Sequence, residues 1–157
     1  MKKWLFVVFV CAICVTNAFA APSAQIAVTV TIVQSVSVSV SPAGYAFGST
    51  DAGSTLSTAV DAFTATNDGN GTENLTIVVA DTADWAASTT VGNDNFVMNY
   101  YNGSAWNLID PSAGALLAGG LAPAASKTFG LQLMVPSATS KGGVEQSINV
   151  TVTASAL

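Results

Sequence analysis

Beyond Ala20 the 157-residue chain contains no histidine, cysteine or arginine, and its only cations are Lys127 and Lys141. Those types cannot supply a thiolate nucleophile, an imidazole base, a disulfide framework, or a zinc or copper site of the His and Cys kind. Paired carboxylates, as in a glycosidase, are the one catalytic option left. The nine acids lie spread over turn-like sequence with no Arg or His beside them to set their proton affinities, so the expectation is a non-enzyme without a cofactor. Asp68, Asn70 and Glu73, with Asp81 and Asp84 or Asp94, offer oxygen ligands for calcium. Their spacing does not match an EF-hand, and Asp, Asn and Gly clusters are chiefly turn formers, so no metal is expected. Trp85, Tyr100, Tyr101 and Trp106 offer an aromatic platform for sugar rings, against core packing as the commoner use of such residues. Asn70, Asn74, Asn102 and Asn149 each open an Asn-x-Ser/Thr pattern, a weak signal in a chain so rich in these residues.

The elements that would position such groups begin with a targeting segment. Lys2 and Lys3 precede an apolar run over residues 4–15, and Ala18-Phe19-Ala20 is a small-x-small cleavage signal, so residues 1–20 read as a signal peptide. A retained anchor is the rival reading, but the run reaches the length of a membrane span only by including Thr16 and Asn17. Removal leaves residues 21–157, enough for one ordinary domain, secreted and without a membrane segment. Two lysines against nine acids disfavour nucleic acid, because phosphate binding needs clustered basic residues.

Residues 25–41 carry the sharpest pattern. Ile26, Val28, Val30, Ile32, Val36, Val38 and Val40 occupy even positions, and Thr29, Thr31, Ser35, Ser37 and Ser39 odd ones. This is the two-residue period of a strand with one apolar face. Extended at about 3.3 Å per residue the stretch would reach about 50 Å, against ~17–20 Å for a usual strand. It therefore either bends near Val33-Gln34, where the alternation falters, and crosses between two sheets of its own domain, or donates its first half to another molecule. From Ala24 to Ser41 neither a charge nor a proline blunts this edge, which favours pairing with a partner.

Further strands are predicted over residues 59–66, 74–80, 96–101, 106–109, 127–135 and 145–154, separated by turn signals. Asn67-Asp68-Gly69-Asn70-Gly71 reads as a hairpin connection and Asn102-Gly103 as a two-residue hairpin turn. Residues 81–92 read as a crossover whose Trp85 plugs the end of the core. Residues 110–125 read as turn-rich, with Leu116, Leu117 and Leu121 as buried anchors. About seven strands and no sustained helical period predict an all-β, two-sheet antiparallel sandwich over residues 35–157, preceded by a donor-strand candidate over residues 21–34.

Phe63-Thr64-Ala65-Thr66-Asn67, Asn74-Leu75-Thr76-Ile77, Gly120-Leu121-Ala122-Pro123, Lys127-Thr128-Phe129 and the run from Gln146 to Val152 resemble immunoglobulin-like sandwiches of prokaryotic surface and filament proteins. The antibody cysteine pair is missing. The resemblance implies subunits that give an N-terminal strand to a neighbour. On that basis the expected function is a structural subunit of an extracellular filament, pilus or surface layer. Ile26, Val28, Val30 and Ile32 would insert into the next copy, making other copies of the chain its partner. A secreted module presenting Trp106 and the tyrosines to polysaccharide is the alternative. A type IV pilin is disfavoured because the apolar run precedes the cleavage signal.

Overall fold

The computed structural model describes residues 23–157; the predicted leader lies outside them. Among the described residues there is no helix, and eleven strands form a β-sandwich. The first sheet holds β1 (Val38–Ser41), β3 (Phe63–Asn67) and β9 (Ser126–Phe129) in the order β1-β3-β9. The second holds β2 (Thr55–Ser57), β5 (Ala86–Ala87), β6 (Asn95–Tyr101), β7 (Trp106–Leu108) and β10 (Leu131–Met134). Its order is β2-β10-β6-β5, with β7 also on β6. The third holds β4 (Glu73–Val79), β8 (Ala115–Leu121) and β11 (Val150–Ala156) in the order β11-β4-β8. All pairings are antiparallel except β5 with β6.

The core follows the period-two pattern. Phe63 and Ala65 on β3, Leu75, Ile77 and Val79 on β4, Phe96, Met98 and Tyr100 on β6, and Leu131 and Leu133 on β10 are all buried. Phe63 stacks on Phe129 with ring centroids 5.4 Å apart.

The single strand predicted over residues 127–135 is two. β9 pairs with β3 and β10 with β2 and β6, so the chain changes sheet at Gly130. A Cβ at Gly130 would lie 2.5 Å from the Ala59 carbonyl oxygen, so only glycine lets the two backbones approach at this corner. The segment 67–71 is a crossover and not a hairpin, because β3 and β4 belong to different sheets. The buried Asn67 side chain organises it: Nδ2 donates to the Gly71 and Leu121 carbonyls at 2.9 and 2.8 Å, and Oδ1 accepts from Gly69 N at 2.8 Å. At Asn102-Gly103 the structure does make a hairpin joining β6 to β7, but the loop is the four residues 102–105 and not two, closed by Asn102 N donating to Ala105 O at 3.1 Å, with Gly103 at φ 108°.

Residues 115–121 form a strand where turn signals predicted none. The glycines that suggested a turn sit in an irregularity of the β4–β8 pairing, where the register shifts and Asn74 Oδ1 accepts from Gly120 N at 2.9 Å. Leu117 is buried as expected, but Leu116 is 59 % exposed. Of the long run 25–41, only Val38–Ser41 is strand. The periodic sequence is present throughout, but a strand is defined by a pairing neighbour, and residues 23–37 have no regular one.

Candidate functional site: an apolar arm and an open cleft

The chain divides into two units, the first ending at Ile32 and the second spanning Val33–Leu157. In the first, Ile26, Val28, Val30 and Ile32 are 89, 86, 87 and 81 % exposed, so four branched apolar side chains spaced two residues apart lie in water.

In the second unit, residues 33–37 are held by the 67–73 segment. Asn70 Nδ2 donates to Val33 O at 2.9 Å, and Asn70 Oδ1 accepts from Ser35 N at 2.8 Å. Asn70 N donates to Ser35 O at 3.2 Å, and Asp68 N to Ser37 O at 2.9 Å. Ser37 N donates to Oε1 of the fully buried Glu73 at 3.1 Å. The Asn70 amide acts here as a peptide group would, continuing the β1–β3 ladder with side chains. Of the oxygens weighed above for calcium, Asn70 Oδ1 and Glu73 Oε1 are thus spent on backbone N–H groups, while Glu73 Oε2 is buried without a hydrogen-bond partner.

The second unit also carries an open cleft of about 1020 Å³. Its floor is core: Phe63, Phe129, Leu131, Leu133 and Val135 all line it. Val40 of β1 and Val150 and Val152 of β11 reach it from two strands that end their respective sheets, and all three are only half-buried. Two segments outside the regular strands flank it, residues 43–50 following β1 and residues 144–149 leading into β11. Tyr45, 55 % exposed, meets the edges of Phe47 and Phe63 at centroid distances of 5.1 and 6.3 Å along the first.

Polar side chains pin the approach to the second segment. Trp85 Nε1 donates to Thr139 Oγ1 at 3.1 Å, so the indole sits in the cleft lining as well as at the end of the core. Asp94 accepts from Ser140 N at 2.9 Å and Ser140 Oγ at 3.0 Å; the backbone N–H of Ser140 is the largest influence holding its carboxyl below the ordinary aspartate range. Gln146 bonds Asp84 and Thr82 at 3.0 and 2.7 Å, and Lys141 lies 3.7 Å from Asp84.

The four aromatic residues weighed for sugar binding do not share a face. Tyr100 is buried with its hydroxyl on the Leu116 carbonyl at 3.0 Å, while Tyr101 and Trp106 form an edge-to-face pair 5.4 Å apart on the β6–β7 hairpin. The cleft escaped sequence reasoning because residues 43–50 show no alternation. The one signal for it was the alternating run 145–154, of which only the part from Val150 found a partner. The chain matches no protein-family model, and a search of curated proteins finds no match.

Proposed function

We propose that the chain is a structural subunit of an extracellular filament, pilus or surface layer. In this reading Ile26, Val28, Val30 and Ile32 of one copy enter the cleft of the next and meet its apolar floor. The observation that carries it is a complementary pair within one sequence: four exposed apolar side chains at strand spacing, and a cleft lined by core residues and by two half-buried edges. Donor and acceptor surfaces differ, so the contact is head to tail and builds an open filament wherever the rotation between copies does not close a ring. The leader expected over residues 1–20 supports assembly outside the cell.

Burying four such side chains contributes about 6–12 kcal/mol at ~1.5–3 kcal/mol each. Association costs ~4–15 kcal/mol in lost freedom, so side-chain burial alone gives at best a modest surplus, and main-chain hydrogen bonds must add to it.

Negative-stain microscopy of the secreted protein, with and without residues 23–32, tests the reading. Fibres are expected from the full chain, and a folded, soluble monomer from the shortened one. Unfolding on deletion would mean that the segment is a strand of its own domain.

A further inference from the structure

The second sheet has an outward face that takes no part in the cleft. Phe96, Met98 and Tyr100 of β6 and Leu131 and Leu133 of β10 point into the core, so the residues that alternate with them point out. Residues directly opposite each other in an antiparallel pair share a face, and the register therefore sets the outward residues in rows. Ser57, Gln132, Asn99 and Leu108 make one row across β2, β10, β6 and β7, and Tyr101 and Trp106 lie opposite each other two residues further along β6. None of the six lines the cleft. Hydrogen bonds join the row: Gln132 Nε2 donates to Ser57 Oγ at 3.1 Å, and Asn99 Nδ2 donates to Gln132 Oε1 at 3.0 Å. Among the described residues, Asn99 Oδ1, the Tyr101 hydroxyl and the Trp106 Nε1–H have no hydrogen-bond partner. None of the three is buried, so each is open to a ligand. The strands that bear this face, residues 55–57, 95–101, 106–108 and 131–134, contain no charged residue.

We infer that this face binds a neutral polysaccharide, independently of the assembly proposed above. A sugar ring presents an apolar C–H face and a rim of hydroxyls that both donate and accept. The half-buried indole of Trp106 meets the first, and a free acceptor at Asn99 Oδ1, a free donor at Trp106 Nε1 and the Tyr101 hydroxyl meet the second. Asn99 and Tyr101, two residues apart on one strand, stand roughly 6.8 Å apart, a span that one sugar residue bridges. The bonds from Asn99 to Gln132 and from Gln132 to Ser57 hold the amide in place before the ligand arrives. Charge selects the neutral class. With two lysines against nine acids beyond Ala20 the chain repels a polyanion, and an uncharged face costs a neutral polymer no desolvation of ions. Lys127 reaches the β6–β7 turn from the first sheet, but its ammonium donates to the Asn102 carbonyl at 2.8 Å.

Isothermal titration calorimetry on the full secreted chain tests this, with hydroxyethyl cellulose and galactomannan as neutral probes and alginate as the anionic one. Saturable binding of at least one neutral polymer is expected, with none of alginate. Trp106→Ala should weaken that binding by about tenfold or more, the usual cost of truncating a central aromatic anchor. Asn99→Ala, which keeps both rings, should weaken it by about fivefold through the lost hydrogen bond. Absence of saturable binding to both neutral polymers overturns the inference, and so does alginate bound as tightly as they are. Unchanged affinity in Asn99→Ala overturns it as well, which keeps the test decisive even where Trp106→Ala does not fold. Association between copies that is lost in Trp106→Ala, with no polysaccharide bound by the unmodified chain, assigns the face to contacts between copies instead.

Discussion

Replacing Val28 and Val30 together by threonine separates the arm's role in assembly from any role in folding. The change exchanges one methyl for a hydroxyl at each position, so size and strand propensity are nearly kept. Both side chains are more than four-fifths exposed, so the monomer loses no packing and its melting temperature should shift by less than a degree or so. Against the apolar floor of the cleft each hydroxyl would be buried without a partner at ~1–3 kcal/mol, or ~2–6 kcal/mol for the pair. That weakens the contact between copies roughly 30-fold to 10⁴-fold. Light scattering across a dilution series reads this as a rise of the critical concentration by the same factor. The complementary variant Thr29→Ser, on the opposite face, should leave that concentration within about twofold. Unchanged assembly by the double variant, or a melting temperature lowered by several degrees, would refute the reasoning.

Several residues of the second unit make independent checks. Phe129→Ala empties the stack on Phe63 at 2 % exposure and is expected to cost ~3–5 kcal/mol in urea unfolding, enough to unfold a marginal domain. Gly130→Ala drives a Cβ against Ala59 O and Val60 Cα, at 2.5 and 2.9 Å, and should cost at least ~1–3 kcal/mol by the same assay. Glu73→Ala leaves Ser37 N–H without its acceptor, so exchange of that amide should quicken and stability should fall by ~1–3 kcal/mol. Asp94 titrates below the ordinary range in the folded chain, so its contribution is present above the unfolded-chain value and is lost as pH falls through the folded one. The Ser140 amide resonance should therefore move at a lower pH than an ordinary aspartate titrates, and Asp94→Ala should abolish that movement.

Much of the sandwich was legible because its strands carry their own signal. In β4, Leu75, Ile77 and Val79 alternate with Thr76 and Val78, and burial follows that alternation with Thr76 fully outward. The β6–β7 turn was legible for the same reason, Gly103 being the residue that tolerates a positive φ. Strand β8 was hidden because Ala, Leu and Gly have little strand preference of their own; its state is imposed by pairing with β4. The break at Gly130 was hidden because the side-chain period runs through it undisturbed, and only the approach of residues 59 and 60 reveals the change of sheet. For the candidate site, the arm was readable as a two-residue period, whereas the cleft depends on how strands of different sheets and the segments 43–50 and 144–149 come together. No local pattern encodes that.

Mixing two disabled copies tests head-to-tail strand donation most directly. One carries asparagine at positions 26, 28, 30 and 32 and keeps its cleft; the other keeps its arm and carries Val150→Trp to fill the cleft. Sedimentation velocity should find each alone monomeric and the mixture a one-to-one dimer that grows no further. Two copies that stay monomeric when mixed, or a cleft-filled copy that still polymerises by itself, would contradict the account.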